Sequence, residues 1–445
     1  KTYVMQGEQW GATIDKDVFT ATWRMAREEK TFEMPGRGRR TVGGAEPAIM
    51  GAAYDANSPR KYLRVHVPGQ AGQRVVSGVW IAGSGDEGRT DGEWLRNVHI
   101  VRDGASSMFA GVWEPYAGEP FIRNVRLVGD PTDARGPAAL YIEAVGDIKD
   151  AILMDHSGDV VRRLEGGIEA QGRFAYISRD ARGIRCLNLV GGKTLTADRI
   201  TIAPEREFWE AAATQVDWLE KTAVLDQPLP AKLLDGAFFE VSAPGPEGRP
   251  VRWTTFEAVK VEPKGSGSAL VWRKGADCHS SKIVRVETVA EHRAKNQNPY
   301  YLGGAPDTDR VLTLEFPPDL ADGQNRRFVV ANQAGDATMR CNSKGWASLV
   351  CAAAGVPADA FKVGERARLY EIGAGDVFRT PTKVSLTRDG TAWRLEANVP
   401  CGITIRGAGA QWSADGKEWA DLPAGKTLKV TAEQLAAGGP YLRGL

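Results

Sequence analysis

Glycine and proline interrupt this chain at short intervals, and their spacing limits the kinds of element that the chain can form. The sequence holds 51 glycines and 24 prolines among 445 residues, and the segments between them are short and rich in Val, Ile, Thr and aromatic residues. Those residues favour strands, whereas glycine and proline favour turns and weaken helices. Segments such as Phe19–Trp23 and Tyr62–Val67 carry apolar side chains at every second position, as a half-buried strand does. The sequence therefore predicts an all-β fold.

The chain is longer than one compact domain usually is. We predict a large multi-stranded antiparallel β-sandwich over residues 1–370, followed by a small C-terminal β-domain over residues 371–445. The second unit ends in Thr431–Leu435, where Thr431 is expected to cap a short helix. Landmarks do not recur at a fixed spacing, which argues against a propeller or a solenoid.

The charge pattern and the motif content exclude several classes of function. The 57 basic and 56 acidic residues nearly cancel, and no long Lys/Arg block predicts a nucleic-acid partner. No apolar run of about 18 residues predicts a membrane span. The sequence also lacks a phosphate-binding glycine loop, a GxSxG elbow and an HExxH motif, so nucleotide, serine-esterase and zincin chemistry have no support.

The cysteines and histidines do not have the spacing of a metal site. None of the five cysteines forms a CxxC pair, and the five histidines do not occur as close pairs, so no metal ligand is assigned. Cys341 and Cys351 flank a turn-like NSKGW segment and are candidates for a disulfide between two neighbouring strands. Two half-buried thiols are the alternative.

One stretch, Ser106–Val128, stands out because it joins two apolar runs through a linker that carries Glu114 and Tyr116. The proline and glycine residues of the linker predict two paired strands around a rigid corner. An acid and a phenol at such a corner make Glu114 and Tyr116 candidates for acid/base chemistry. The alternative is a structural hairpin with Trp113 and Phe121 in the core.

Three further residues complete the candidate site. His99 precedes an Asp-Gly turn, and hairpin geometry is expected to bring it near the strand that leads to Glu114. Arg123 is a candidate for binding a carboxylate or sulfate, which a guanidinium holds through two parallel hydrogen bonds. Trp113 is a candidate for stacking on a sugar ring.

The pattern SxFxxVWEPYxGxPFIxxVRLV within Ser106–Val128 resembles the corner in the C-terminal β-sandwich of heparinase II/III-like polysaccharide lyases. Further segments resemble that family in the same order, and together they cover most of residues 1–390. They are VFTATWR, YLRVHV, GRFAYISRD, TQVDWLEKT and IGAGDVFRTPTKVSL.

The resemblance implies an extracellular or periplasmic bacterial enzyme, a carbon–oxygen lyase that cleaves a glycosaminoglycan or another uronate polysaccharide by β-elimination. In that family a helical toroid supplies a tyrosine acid or base, the sandwich donates a histidine, and several members bind zinc through His and Asp. A zinc or calcium ion is therefore an option for the complete protein, although no cofactor is assigned within this chain.

This chain departs from the family pattern, because it has no run of amphipathic helices and no His-rich strand after Lys1. The family's catalytic and metal residues therefore cannot be carried over. We expect a C-terminal portion of a longer lyase, inactive alone, with an acidic polysaccharide and an N-terminal helical domain or separate chain as partners. The rival hypothesis is a non-catalytic carbohydrate-binding or structural β-rich surface protein.

Overall fold

A computed structural model describes most of the chain and confirms the all-β fold. The described residues are 2–5, 9–15, 18–24, 30–34, 38–42, 61–81, 94–217, 220–244, 250–272, 279–295, 307–315, 327–333, 338–344, 348–353, 359–370, 372–407 and 409–445. They form 35 strands and two helices, which are numbered in chain order. The helices, α1 (Val289–Lys295) and α2 (Ala432–Ala436), have seven and five residues. Within the described ranges, no helix is therefore long enough to cross a bilayer.

Two small sheets pack face to face in the N-terminal region. One sheet has the order β1-β8-β7, the other has the order β2-β3-β6-β9, and β4 and β5 form a separate ribbon. Their bounds are β1 (Thr2–Met5), β2 (Gln9–Asp15), β3 (Val18–Arg24), β4 (Lys30–Met34), β5 (Gly38–Val42), β6 (Lys61–Pro68), β7 (Gln73–Ile81), β8 (Trp94–Arg102) and β9 (Val112–Ala117). Val98 and Ile100 of the first sheet share a core with Phe19, Val65 and Val67 of the second.

A 14-stranded antiparallel sheet is the largest sheet among the described strands. Its main path runs β10-β11-β12-β14-β15-β29-β30-β35-β32-β33, and β13, β16, β31 and β34 branch from it. Its bounds are β10 (Ile122–Gly129), β11 (Ala138–Ala144), β12 (Ile148–Met154), β13 (Arg162–Leu164), β14 (Ile168–Asp180), β15 (Gly183–Ala197), β16 (Ile200–Pro204), β29 (Lys383–Asp389), β30 (Ala392–Ala397), β31 (Cys401–Ile405), β32 (Ala410–Ser413), β33 (Ala420–Leu422), β34 (Thr427–Val430) and β35 (Tyr441–Arg443).

Two closed six-stranded barrels account for the remaining strands, and the sequence analysis did not predict them. The first has the order β17-β18-β21-β20-β19-β28 and the second has the order β22-β23-β26-β25-β24-β27. Their bounds are β17 (Phe208–Asp217), β18 (Thr222–Leu225), β19 (Phe238–Pro244), β20 (Pro250–Lys264), β21 (Gly267–Trp272), β22 (His279–Thr288), β23 (Arg310–Glu315), β24 (Arg327–Ala331), β25 (Thr338–Lys344), β26 (Ser348–Ala353), β27 (Arg366–Tyr370) and β28 (Val377–Pro381).

Strand pairing crosses the boundary predicted at residue 370. β28 pairs with β17 and β19 and so closes the first barrel. β29 pairs with β15, and this pairing places Leu386 opposite Leu187. Both leucines are fully buried in the largest core, which also includes residues of the first barrel. The C-terminal strands therefore share sheets and a core with strands of residues 1–370.

At two places the structure has the local element that the residues of the segment favour. Thr431 caps α2, and its side chain and that of Gln434 form the reciprocal capping box. Phe208–Asp217 and Thr222–Leu225 form β17 and β18, as their Val, Thr and aromatic residues favour. At the predicted disulfide, β25 pairs with β26 in a register that sets Ser343 opposite Cys351. The side chains of Cys341 and Cys351 lie outside the described residues.

Candidate functional site

The stretch Ser106–Val128 connects two sheets, which corrects the prediction that its two strands pair with each other. β9 pairs with β6 in the N-terminal region, whereas β10 pairs with β11 at the edge of the 14-stranded sheet. Between them the chain turns at Gly118, whose φ of 83° is a conformation that favours glycine. The linker is therefore a crossing from one sheet to the next.

The carboxylate of Glu114 is fully buried at this crossing, with 0% exposure. Its Oε1 accepts hydrogen bonds from the backbone amides of Phe121, at 2.6 Å, and Ile122, at 2.7 Å. Its Oε2 accepts from Arg64 Nε at 2.6 Å and from His66 Nε2 at 2.9 Å. Two carboxylate oxygens offer about four acceptor positions, so the four donors leave Glu114 without a position for another partner.

Strand geometry explains why these side chains meet. Successive side chains of a strand point to opposite faces, so Arg64 and His66 lie opposite Val65, which belongs to the N-terminal core. Arg64 and Glu114 are direct cross-strand partners. The start of β10 covers this polar face, and Arg64 Nη2 donates to the carbonyl oxygen of Ile122 at 2.7 Å. We call Arg64, His66, Glu114 and the amides of Phe121 and Ile122 the corner cluster.

His66 is neutral within the corner cluster. Burial lowers its pKa, against the opposing effect of its hydrogen bond to Glu114. Because an ionised carboxylate only accepts hydrogen bonds, Nε2 of His66 carries the hydrogen, and Nδ1 faces the Thr20 hydroxyl at 3.4 Å. His66 therefore acts as a donor to Glu114 and not as a cation.

Glu114 is ionised despite its burial. Burial alone would raise the pKa of its carboxyl group, but hydrogen bonds from the Ile122 amide, His66, Arg64 and the Phe121 amide together lower it. A general base must offer a lone pair to the proton that it removes. The saturated carboxylate of Glu114 is suited to anchoring the corner instead.

Tyr116 is part of a stacked aromatic pair beside the cluster. Its ring lies 5.0 Å from that of Tyr62, centroid to centroid, with the planes 11° apart. The guanidinium of Arg64 lies 5.8 Å from the Tyr116 centroid. Burial raises the pKa of the Tyr116 hydroxyl, so the phenol stays protonated near neutral pH.

The structure does not bring His99 and Glu114 together. β8 forms its hairpin with β7, and His99 lies opposite Val76 there and opposite Thr2 on β1. Its neighbours Val98 and Ile100 point into the N-terminal core, so His99 points to the other face of its sheet. The core of the two N-terminal sheets separates it from the corner cluster.

The remaining predicted site residues are exposed around the corner. Trp113 and Phe121 are 43% and 44% exposed, so the alternative that places both in the core is wrong. Arg123 lies at an irregularity in the pairing of β10 with β11, between Ile122 and Asn124, and its side chain is exposed. These three side chains are accessible, unlike Glu114.

Sequence reasoning missed Arg64 and His66 as partners of Glu114. The apolar alternation of Tyr62–Val67 puts His66 on the opposite, polar face of its strand, but that face is covered and His66 is only 5% exposed. A signal was available in YLRVHV, where Arg64 and His66 occupy alternate positions and therefore share a face. To identify Glu114 as the acid that binds both side chains, one must know that β6 pairs with β9.

Comparison of the chain with protein-family models, curated proteins and solved structures found no match. In the part of the chain that the structure describes, no three His, Cys, Asp or Glu side chains lie close enough to hold a metal ion.

We expect Glu114→Gln to lower the free energy of unfolding by about 3 kcal/mol or more, because the new amide NH₂ would face the donors of Arg64 and His66. Glu119→Gln, at an exposed position in the same linker, should change it by less than about 0.5 kcal/mol. Urea denaturation of both variants measures this difference. Equal stability of the two variants would contradict an anchoring role for Glu114.

The lowered pKa of His66 predicts a pH dependence of stability. In the unfolded chain the imidazole binds a proton as the pH falls below its ordinary pKa of 6.5, whereas the folded chain binds that proton only at lower pH. The free energy of unfolding should therefore decrease as the pH falls from about 7.5 to about 5.5. His66→Gln keeps a donor for Glu114 and should flatten this decrease in urea titrations, whereas an unchanged slope would show that His66 is not its source.

Proposed function

We propose that this chain is the β-rich portion of an acidic-polysaccharide lyase, and that it contributes binding of the polysaccharide and not the chemistry of cleavage. One observation carries the proposal: the acid at the corner is buried and saturated by four donors, whereas Trp113, Phe121 and Arg123 around it are exposed. The resemblance of Ser106–Val128 and the later segments to heparinase II/III-like lyases gives the substrate class.

The exposed residues suit a uronate polymer chemically. Aromatic faces present apolar surface to the C–H groups of a sugar ring. The Arg123 guanidinium can hold a uronate carboxylate or a sulfate through two parallel hydrogen bonds. A polymer crossing this corner would therefore meet a stacking surface and a cation together.

The corner cluster and the neighbouring Tyr116 are a poor source of the base that β-elimination requires. Removal of the proton at C5 needs an accessible lone pair near neutral pH. The oxygens of Glu114 are occupied, His66 is buried, and the phenol of Tyr116 stays protonated. The proposal therefore places the base in another part of the complete lyase.

The second candidate function is a carbohydrate-binding or structural surface protein without any lyase partner. The same exposed residues at the corner favour it, because binding through Trp113 and Arg123 does not depend on a cleavage site. The two candidates differ in whether the full-length protein forms an unsaturated product.

Binding by the isolated chain can be tested by affinity electrophoresis in gels that contain heparan, chondroitin, hyaluronan, alginate or ulvan. We expect retardation by at least one of these polymers, and we expect Arg123→Gln and Trp113→Ala each to weaken binding about tenfold. Arg182→Gln, at an exposed arginine on a different turn, is the matched control and should bind like the wild type.

Ultraviolet absorbance of the unsaturated uronate separates the two candidate functions. The isolated chain should give no rise with any of the five polymers, and the full-length protein should give a rise with the polymer that the chain binds. A rise with the isolated chain would contradict the absence of chemistry in this chain. No rise with the full-length protein on all five polymers would remove the lyase proposal and leave the binding protein.

A further inference from the structure

A polar cleft of about 300 Å³ lies at one end of the largest core, and its lining includes none of the residues of the corner cluster. It opens between the core-facing side of β10, β11 and β12 and the turn that joins β13 to β14. Its floor is apolar, because Ala151, Ile168 and Ile177 line it and also belong to the largest core. Small-molecule sites have volumes of about 300 to 1,000 Å³, so the cleft is the size of a site for a small ligand.

Side-chain contacts hold the turn against the sheet, so the cleft has a built wall. Arg126 Nη2 on β10 pairs with Glu165 Oε2 in the turn at 2.5 Å, and the Arg126 guanidinium lies 4.5 Å from the ring centroid of Tyr141 on β11. The amide of Glu165 donates to the Tyr141 hydroxyl at 3.1 Å. On the β14 side, Arg179 Nη2 donates to the carbonyl oxygen of Gly166 at 3.0 Å. The turn is therefore fixed at both sides of the cleft.

Two cations lie opposite each other at the rim of the cleft. The register of β12 with β14 sets Lys149 opposite Arg179, and both residues line the cleft. They lie two positions from Ala151 and Ile177 of the floor and so share the face of these residues. Like charges directly opposite on neighbouring strands are unfavourable. Arg179 is compensated by Asp198 at 2.8 Å, whereas Lys149 forms no ion pair within the described part of the chain. The Lys149 ammonium is therefore open to an anionic group in the cleft.

The same rim carries hydrogen-bond acceptors. Glu143 lies opposite Lys149 in the register of β11 with β12 and lines the cleft. Its side chain is exposed, and its carboxylate forms no ion pair with another described residue. Asn124 on β10 also lines the cleft, and its amide can both donate and accept. Carboxylate and amide oxygens accept hydrogen bonds from hydroxyl groups. The rim therefore places an unpaired cation beside groups that suit hydroxyls, above an apolar floor.

We propose that this cleft is a second carbohydrate site, which binds a single uronate unit. The carboxylate of the sugar pairs with Lys149, its hydroxyl groups bind Glu143 and Asn124, and the C–H face of its ring lies on the apolar floor. The choice of a uronate among carboxylated molecules rests on the proposed function. An inorganic anion uses the cation alone, and a neutral sugar leaves the cation unpaired. The cleft therefore favours a molecule that carries both kinds of group.

Calorimetric titration with glucuronate, glucose and acetate tests the class of ligand. The titrations use the chain with Trp113→Ala and Arg123→Gln, so that the corner does not contribute. We expect one glucuronate per chain. Glucose lacks the carboxylate and acetate lacks the ring, so each should bind at least about tenfold more weakly than glucuronate.

A matched pair of lysine variants in the same chain tests the location. Lys149→Gln should weaken glucuronate about tenfold and leave glucose unchanged. Its midpoint of urea unfolding should stay the same or rise, because the variant removes a repulsion with Arg179, whereas loss of a structural contact would lower it. Lys429→Gln is the control, at an exposed lysine on β34 of the same sheet and outside the cleft lining. It should bind glucuronate like the parent chain.

Three results would overturn the inference. The first is acetate binding as tight as glucuronate binding, which would mean an adventitious ion only. The second is equal affinity of the Lys149→Gln and Lys429→Gln chains for glucuronate, and the third is no binding of glucuronate.

The proposed function fails by a different result, which is the absence of gel retardation of the wild-type chain by all five polymers. Retardation without glucuronate binding would remove the cleft site and leave the proposed function. Glucuronate binding that depends on Lys149, without retardation, would support the cleft site and remove the polymer as its source.

Discussion

The carboxylate of Glu114 is the interaction on which the corner depends, because it joins its own strand, β9, to β6, about 50 residues earlier in the chain, and to the start of β10. It binds Arg64 and His66 on β6 and two amides at the start of β10. β6 and β9 belong to an N-terminal sheet, whereas β10 starts the 14-stranded sheet, so one side chain connects two sheets. A buried carboxylate is unfavourable unless its lone pairs are satisfied. The connection therefore requires all four donors together.

Local features of the fold were predictable from the sequence, whereas long-range pairings were not. The strand at Tyr62–Val67 and the cap at Thr431 follow from alternation and capping, which depend on a few neighbouring residues. The pairing of β15 with β29 sets Cys186 opposite Thr387, and the pairings that close the two barrels set Trp209 opposite Thr380 and His279 opposite Leu369, so all three join segments that are distant in the chain. The same distinction applies to the site. The sequence identified Glu114 as a candidate, but its contact with Arg64 depends on which strand pairs with β9.

The prediction that His99 lies near Glu114 was wrong for the same reason, because it depended on a long-range strand pairing. A turn beside a strand predicts a hairpin, but it does not say which neighbouring strand takes part, and β8 pairs with β7. Burial separates the residues of the corner. The saturated Glu114 holds the backbone, whereas the side chains of Trp113 and Arg123 are exposed.

Amide hydrogen exchange at the corner tests the anchoring role of Glu114 most directly. Peptides that contain the amides of Phe121 and Ile122, followed by mass spectrometry, report whether those hydrogens are held by the carboxylate. We expect slow exchange in the wild type, and fast exchange there in Glu114→Ala, which removes both acceptor oxygens, with the protection of β14 and β15 unchanged. Equal exchange at the corner in both proteins would contradict the account.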